Sequence, residues 1–133
     1  MTTAPELSAT TLANTCYQSM FQGCTSLTTA PKLPATTLAN TCYSNMFQGC
    51  TSLTIAPELP AITLTPYCYT NMFTGCTSLN YIKAMFTTKP GETTFHETTG
   101  WVSGVSSTGT FIKNSAATWD VTGTNGVPSG WTV

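Results

Sequence analysis

The chain has 133 residues, 41% of them hydrophobic, with 4 Lys or Arg against 5 Asp or Glu and a formal net charge of −1. That length supports one modest core rather than several domains, and basic residues this few and scattered argue against nucleic acid, whose backbone needs several positive contacts. No apolar run reaches the ~18 residues of a membrane-spanning helix, and the N-terminus lacks the basic-then-apolar layout of a signal peptide.

From its first residues the chain follows a 26-residue ruler. Cys16, Cys42 and Cys68 form one series and Cys24, Cys50 and Cys76 a second, each member 26 residues after the last. Leu7, Leu33 and Leu59 keep the same register, as do Met20, Met46 and Met72, then Phe21, Phe47 and Phe73, and Leu27, Leu53 and Leu79. Pro5, Pro31 and Pro57 and the glycines Gly23, Gly49 and Gly75 follow it too. Periods of 20–50 residues mark stacked repeats, in which a unit buries its apolar face only against a neighbour, and about three units are needed for stability.

Each unit begins with a short Thr- and Leu-containing segment, as in 26–34 (SLTTAPKLP), with equivalents at 1–7, 52–60 and 78–86. These predict brief strands. The next segment, 40–50 (NTCYSNMFQGC), places Met46, Phe47 and Cys50 at offsets of four, five and eight from Cys42, one face of a helix or helical turn. Asn14 and Asn40 read as N-caps, and the repeated glycines mark the turn's end. Strand, return and helical turn together make one coil of a solenoid.

The run LxxA-x-x-LP…L…C-Y-x-x-M-F-x-x-C-x-x-L resembles the BspA-like, or treponemal-type, leucine-rich repeat. Met46 and Phe47 stand at that family's Ala-Phe pair, Cys50 at its Cys, Leu53 at its following Leu and Cys42 at an aliphatic core position. The unit departs from the family in a few extra residues around Leu33, Pro34 and Leu38, and in Tyr43 where Gly is common. The resemblance implies an α/β fold class: a short leucine-rich-repeat solenoid over residues 1–86, with a parallel sheet on one face and helical turns on the other. Residues 87–133 then form a small β-rich C-terminal cap.

Beyond Phe86 the ruler stops, and Gly, Thr and Ser dominate around Trp101, Trp119 and Trp131. Trp101 and Val102, and Thr110, Phe111, Ile112 and Lys113, read as short strands about a turn at 106–109, with 127–131 as an extended tail. This part is expected to cover Leu79, Ile82 and Met85. It resembles segments that follow such repeats in surface proteins of gut bacteria. At the other end, Met1 holds the position of Leu27 and Leu53, so the first coil is expected to be uncovered. Either a longer array or a homodimer through that uncapped N-terminal coil would cover it.

Six cysteines admit fifteen disulfide connectivities. A series of three cannot pair off, however, and two cysteines eight residues apart on a helix are about 12 Å distant, against the ~5.5 Å a disulfide needs. Free, buried thiols acting as small hydrophobes are expected. A Cys-x7-Cys spacing with the lone His96 outside the repeats does not suggest zinc, and no metal or other cofactor is implied.

No recurrent acid, base or nucleophile appears; Glu92, His96 and Glu97 lie in a Thr- and Gly-rich stretch that reads as solvated loop, and Lys113 and Asp120 as isolated charges. An enzyme is not expected. The outward positions of the strand segments, Thr29, Pro31, Lys32, Ile55, Pro57, Glu58, Tyr81 and Lys83, are candidates for a shallow ligand face suited to a protein or glycan. Tyr17, Tyr43 and Tyr69 are expected to stack as an aromatic ladder on the convex side. The function expected is a non-catalytic binding or adhesion module, secreted or displayed on a bacterial cell surface. The competing class is a structural spacer, or a piece of a longer array with no ligand of its own.

Overall fold

The computed structural model describes residues 2–90 and 95–133. Successive repeat units lie one on another in register, tied by two kinds of backbone hydrogen bond that alternate along the chain. In residues 15–23, Thr15, Tyr17, Ser19, Phe21 and Gly23 donate their N–H groups to the carbonyls of Asn40, Cys42, Ser44, Met46 and Gln48 in the next unit. The residues between them, Cys16, Gln18, Met20 and Gln22, donate instead to the carbonyl three positions back. Residues 41–49 repeat the arrangement against 66–74.

This backbone overturns the expected α/β solenoid. Among the described residues there is no helix, and the regular sheet is one parallel pair, β1 (Tyr81–Ala84) and β2 (Thr110–Lys113), with Ile82 opposite Phe111. The helical turns fail to form because φ is positive at every fourth residue: Thr15, Ser19 and Gly23, then Thr41, Asn45 and Gly49, then Tyr67, Asn71 and Gly75. A right-handed helix requires negative φ throughout. What results is a run of tight turns repeating every four residues. It brings Cys42-Tyr43, Met46-Phe47 and Cys50 to one side just as a helix would, so the side-chain spacing mimics the helical one. The expected caps serve another purpose: Asn14 Oδ1 accepts from the Asn40 N–H of the next unit at 3.1 Å.

The strand expectation fails in part for a different reason. Segments 1–7, 26–34 and 52–60 carry Pro5, Pro31, Pro34, Pro57 and Pro60, which lack the N–H a ladder needs. These segments show only isolated bridges, Thr3 to Thr29, Ile55 to Tyr81 and Leu59 to Ala84. Segment 78–86 contains no proline, and it is the one that forms a strand. The expectation for Met1 lies outside the described residues.

Between the turn rows and the bridged side lies the core. Phe21, Phe47 and Phe73 stack at centroid distances of 5.6 and 5.7 Å, flanked by Met46, Met72, Leu53 and Leu79, all fully buried. Such columns of identical rings bury large apolar area at low conformational cost.

The stacking continues past the point where the sequence ruler stops. Tyr67, Tyr69, Asn71, Phe73 and Gly75 donate to the carbonyls of Phe95, Glu97, Thr99, Trp101 and Ser103. Positive φ recurs at His96, Gly100 and Gly104. Trp101 and Val102, expected as a strand, therefore belong to a fourth row of turns, where the Trp101 ring lies 6.2 Å from Phe73 and 5.9 Å from Tyr69. Residues 110–113 do form a strand, and the segment before Trp131 returns so that Thr132 pairs with Thr110. Leu79 and Ile82 are buried beneath these elements, with Met85 half-buried.

The two ends of the stack differ in polarity. On the fourth row, Gly100 N–H donates to Asn125 Oδ1 and Val102 N–H to the Thr124 carbonyl, so two of its outward donors are covered. On the first row the outward groups are the carbonyls of residues 14, 16, 18, 20 and 22. Among the described residues only that of Asn14 is taken, by Thr15 Oγ1. Side chains that are buried deeper in the stack are open here: Met20 is 44% exposed where Met46 and Met72 are fully buried, and Cys16 is exposed where Cys42 is not.

Candidate functional site

The bridged side of the stack carries a shallow, proline-walled face. In each proline-bearing unit the prolines interrupt the backbone ladder and line shallow troughs. One trough, about 510 Å³, is lined by Ala30, Pro31, Lys32, Leu33, Pro34, Pro57, Glu58 and Pro60. Its neighbour, about 550 Å³, is lined by Ala4, Pro5, Glu6, Leu7, Ser8, Pro31, Lys32 and Pro34. A third depression runs beside them between Thr28, Thr29 and Ala30 on one unit and Thr54, Ile55 and Ala56 on the next.

Of the expected ligand-face residues, Thr29, Lys32, Ile55 and Glu58 are exposed, Ile55 at 57%. Tyr81 and Lys83 are half-buried in β1. Pro31 and Pro57 are buried and floor the troughs rather than project from them, which corrects their reading as outward positions. Lys83 Nζ lies 3.3 Å from Glu58 Oε1 across adjacent units. Glu6, Pro34, Pro60 and the 53%-exposed Ile62 also shape this side. Glu6 sits one repeat before Lys32, so the ruler already held the signal that places it here.

The tyrosines do stack, Tyr17 on Tyr43 at 6.0 Å and Tyr43 on Tyr69 at 6.1 Å, with ring planes nearly parallel. They do not form an exposed ladder: Tyr43 and Tyr69 are buried and Tyr17 is half-buried. Their rings precede the inward Met-Phe pair by one four-residue turn and so point into the same core. Burial raises the phenol pKa of both Tyr43 and Tyr69 above the usual value. The Tyr69 hydroxyl is buried with no hydrogen-bond partner among the described residues.

All six cysteines are free. Cys50 Sγ donates to the Phe21 carbonyl at 3.1 Å and Cys76 Sγ to the Phe47 carbonyl at 3.0 Å, so buried thiols tie one unit to the unit before it. Desolvation pushes the thiol pKa of Cys42 and Cys50 up to about 11 and of Cys68 and Cys76 up to about 12. Nucleophilic chemistry requires the thiolate, which these four positions disfavour. Among the described residues no group of three or more His, Cys, Asp or Glu is arranged to hold a metal ion.

His96 is exposed, with Nδ1 3.1 Å from Thr99 Oγ1 and its ring 5.6 Å from that of Tyr67. Glu97 is buried, and Glu92 lies outside the described residues. Lys113, expected as an isolated charge, donates to the Trp119 carbonyl at 2.7 Å and sits over the indole, a favourable cation–π placement. Asp120 is exposed. No helix among the described residues is long and apolar enough to cross a membrane. No family model, curated protein or solved structure matches the chain.

Proposed function

We propose that this chain is a non-catalytic binding or adhesion module that contacts a protein or glycan through its proline-walled face. One observation carries the reading. The buried positions repeat from unit to unit, whereas exposed positions on this face vary, with Lys32 against Glu58 and Thr29 against Ile55 at matched places. Troughs this shallow suit a broad partner surface or an extended chain better than an enclosed small molecule. Display outside the cell and membership of the BspA-like family belong to the same reading, supported by the C-Y-x-x-M-F-x-x-C-x-x-L motif.

A glycan array and a panel of candidate protein ligands would test it, using the chain and its Lys32→Ala, Ile55→Ala and Glu58→Ala variants. Binding that weakens several-fold in these variants, with unchanged melting, is the expected result. No binding to any probe would favour the spacer reading instead. Two copies meeting at the first row of turns are not part of this proposal. The outward backbone groups of that edge are carbonyls, and a two-fold pair there would set like groups against each other.

A further inference from the structure

We infer that two copies of this chain associate face to face, antiparallel, through the column Glu6, Lys32, Glu58 and Lys83. These four are a large share of the chain's 4 basic and 5 acidic side chains, and they fall in one line across four successive units. Glu6 and Lys32 line one trough, Lys32 and Glu58 line the next, and Glu58 pairs with Lys83. Among the described residues Glu6 and Lys32 make no ion pair, so the first half of the column has unspent charge.

The signs alternate, negative, positive, negative, positive, at the spacing of stacked chains, about 5 Å. An even, alternating column has a property that a single-sign patch lacks. Turned end for end, it is its own complement. A second copy related by a two-fold axis passing between Lys32 and Glu58 sets Glu6 against the other copy's Lys83 and Lys32 against its Glu58, and each rung is repeated by symmetry. Such a pairing is isologous, the commonest form of dimer. The 510 Å³ trough lies at the axis, and the exposed Ile55 and Ile62 flank it, adding apolar contact beside the charges. Any other partner would have to reproduce four alternating charges at this pitch; the second copy supplies them already.

This pairing occupies the face on which the proposed ligand reading rests, so a ligand there would compete with the second copy; the test below uses no ligand, so its failure is distinguishable from failure of that reading. The test is sedimentation equilibrium of the full chain with two charge reversals. Lys32→Glu gives three negatives followed by a positive, and Glu58→Lys a negative followed by three positives. Either variant alone opposes like charges on its two central rungs, whereas a mixture of the two matches opposite charges on all four. Wild type is expected to dimerise at low salt and to dissociate as salt shortens the screening length from ~10 Å at 0.1 M to ~3 Å at 1 M. Each variant alone should associate about tenfold more weakly or worse, like charges across an interface being strongly unfavourable, and an equimolar mixture should recover association as a heterodimer. Both sites are exposed, and unchanged melting curves would establish that the variants fold. A wild-type chain that stays monomeric at low salt, a dimer indifferent to both reversals, or a mixture that fails to recover association would overturn the pairing.

Discussion

Replacing Gly49 with alanine tests the left-handed backbone on which each row of turns closes. Gly49 has φ +76°, and a Cβ built there meets only the Gly23 backbone at 3.8 Å, an ordinary contact. Its N–H donates to the Thr74 carbonyl at 2.8 Å and keeps that bond in the variant. Steric crowding and lost hydrogen bonding are therefore both removed from consideration, and the left-handed conformation alone decides. An L-residue there costs about 1–2 kcal/mol, which for a chain of this size lowers the melting midpoint by roughly 3–8 °C. Had residues 40–50 been helical with Gly49 closing the helix, the same change would also have cost stability, so the variant that separates turn from helix lies inside a row of turns. Ser19→Gly is the reciprocal variant: at φ +56° glycine relieves strain, so stability should hold or rise by up to about 1 kcal/mol, whereas in a helix it would fall. Urea unfolding followed by circular dichroism measures both. A Gly49→Ala protein more stable than wild type would refute the reasoning.

Other changes follow from the core and its thiols. Thiol titration should find Cys16 reactive and Cys24 slower in the native chain, with Cys42, Cys50, Cys68 and Cys76 protected, and six thiols once it is unfolded. Because the folded state holds these four thiols protonated up to about pH 11–12 while the unfolded chain releases its protons near 9.0, their contribution to stability is full below about pH 9. It is lost progressively as pH rises through 11–12, so a urea midpoint flat across this window would contradict thiol burial. Phe47→Ala empties the centre of the ring column and should cost about 3–5 kcal/mol, and an unchanged midpoint in thermal melts would count against its core position. Tyr69→Phe deletes a buried hydroxyl lacking a partner among the described residues and should stabilise by about 1 kcal/mol; destabilisation of that size would mean the hydroxyl is bonded.

The stacking of units was legible because identical side chains at a fixed period can share one core only if the units superimpose. The inward set of Met46, Phe47, Cys42 and Cys50 was legible for the same reason. The backbone between them was misread because a turn every four residues and a helix of 3.6 residues per turn agree over so short a segment. A discriminating signal did exist. Asn45, Asn71 and the three glycines stand at every fourth place, and Asn and Gly are the residues that most readily take positive φ. Thr15, Thr41 and Tyr67 at equivalent places concealed it, since nothing in those side chains favours that conformation. Proline likewise marked where strands would break, and its absence from 78–86 marked where one would survive. Of the positions expected to face outward, Thr29, Lys32, Ile55 and Glu58 are exposed, Tyr81 and Lys83 are half-buried, and Pro31 and Pro57 are buried. A proline that interrupts a ladder can still be buried, as both of these are. The tyrosine column was placed on the wrong side although Tyr43 stands four residues before Phe47, a spacing that shares one face in a helix as in a four-residue turn repeat; its hydroxyl suggested a wet edge that the burial of Tyr43 and Tyr69 does not provide.

The unequal hydrogen-bonding capacity of the two ends gives the stack a direction, as the two ends of a polar filament differ. A row of carbonyls repels another row of carbonyls, so collisions between like ends are unproductive however well their ring columns would match. The opposite end has two of its donors occupied by Asn125 and Thr124, which obstructs the head-to-tail route at those positions. Protein stacks with open, two-way edges run on into fibres. Here extension is hindered at one end by occupied donors and filtered at the other by chemical sign.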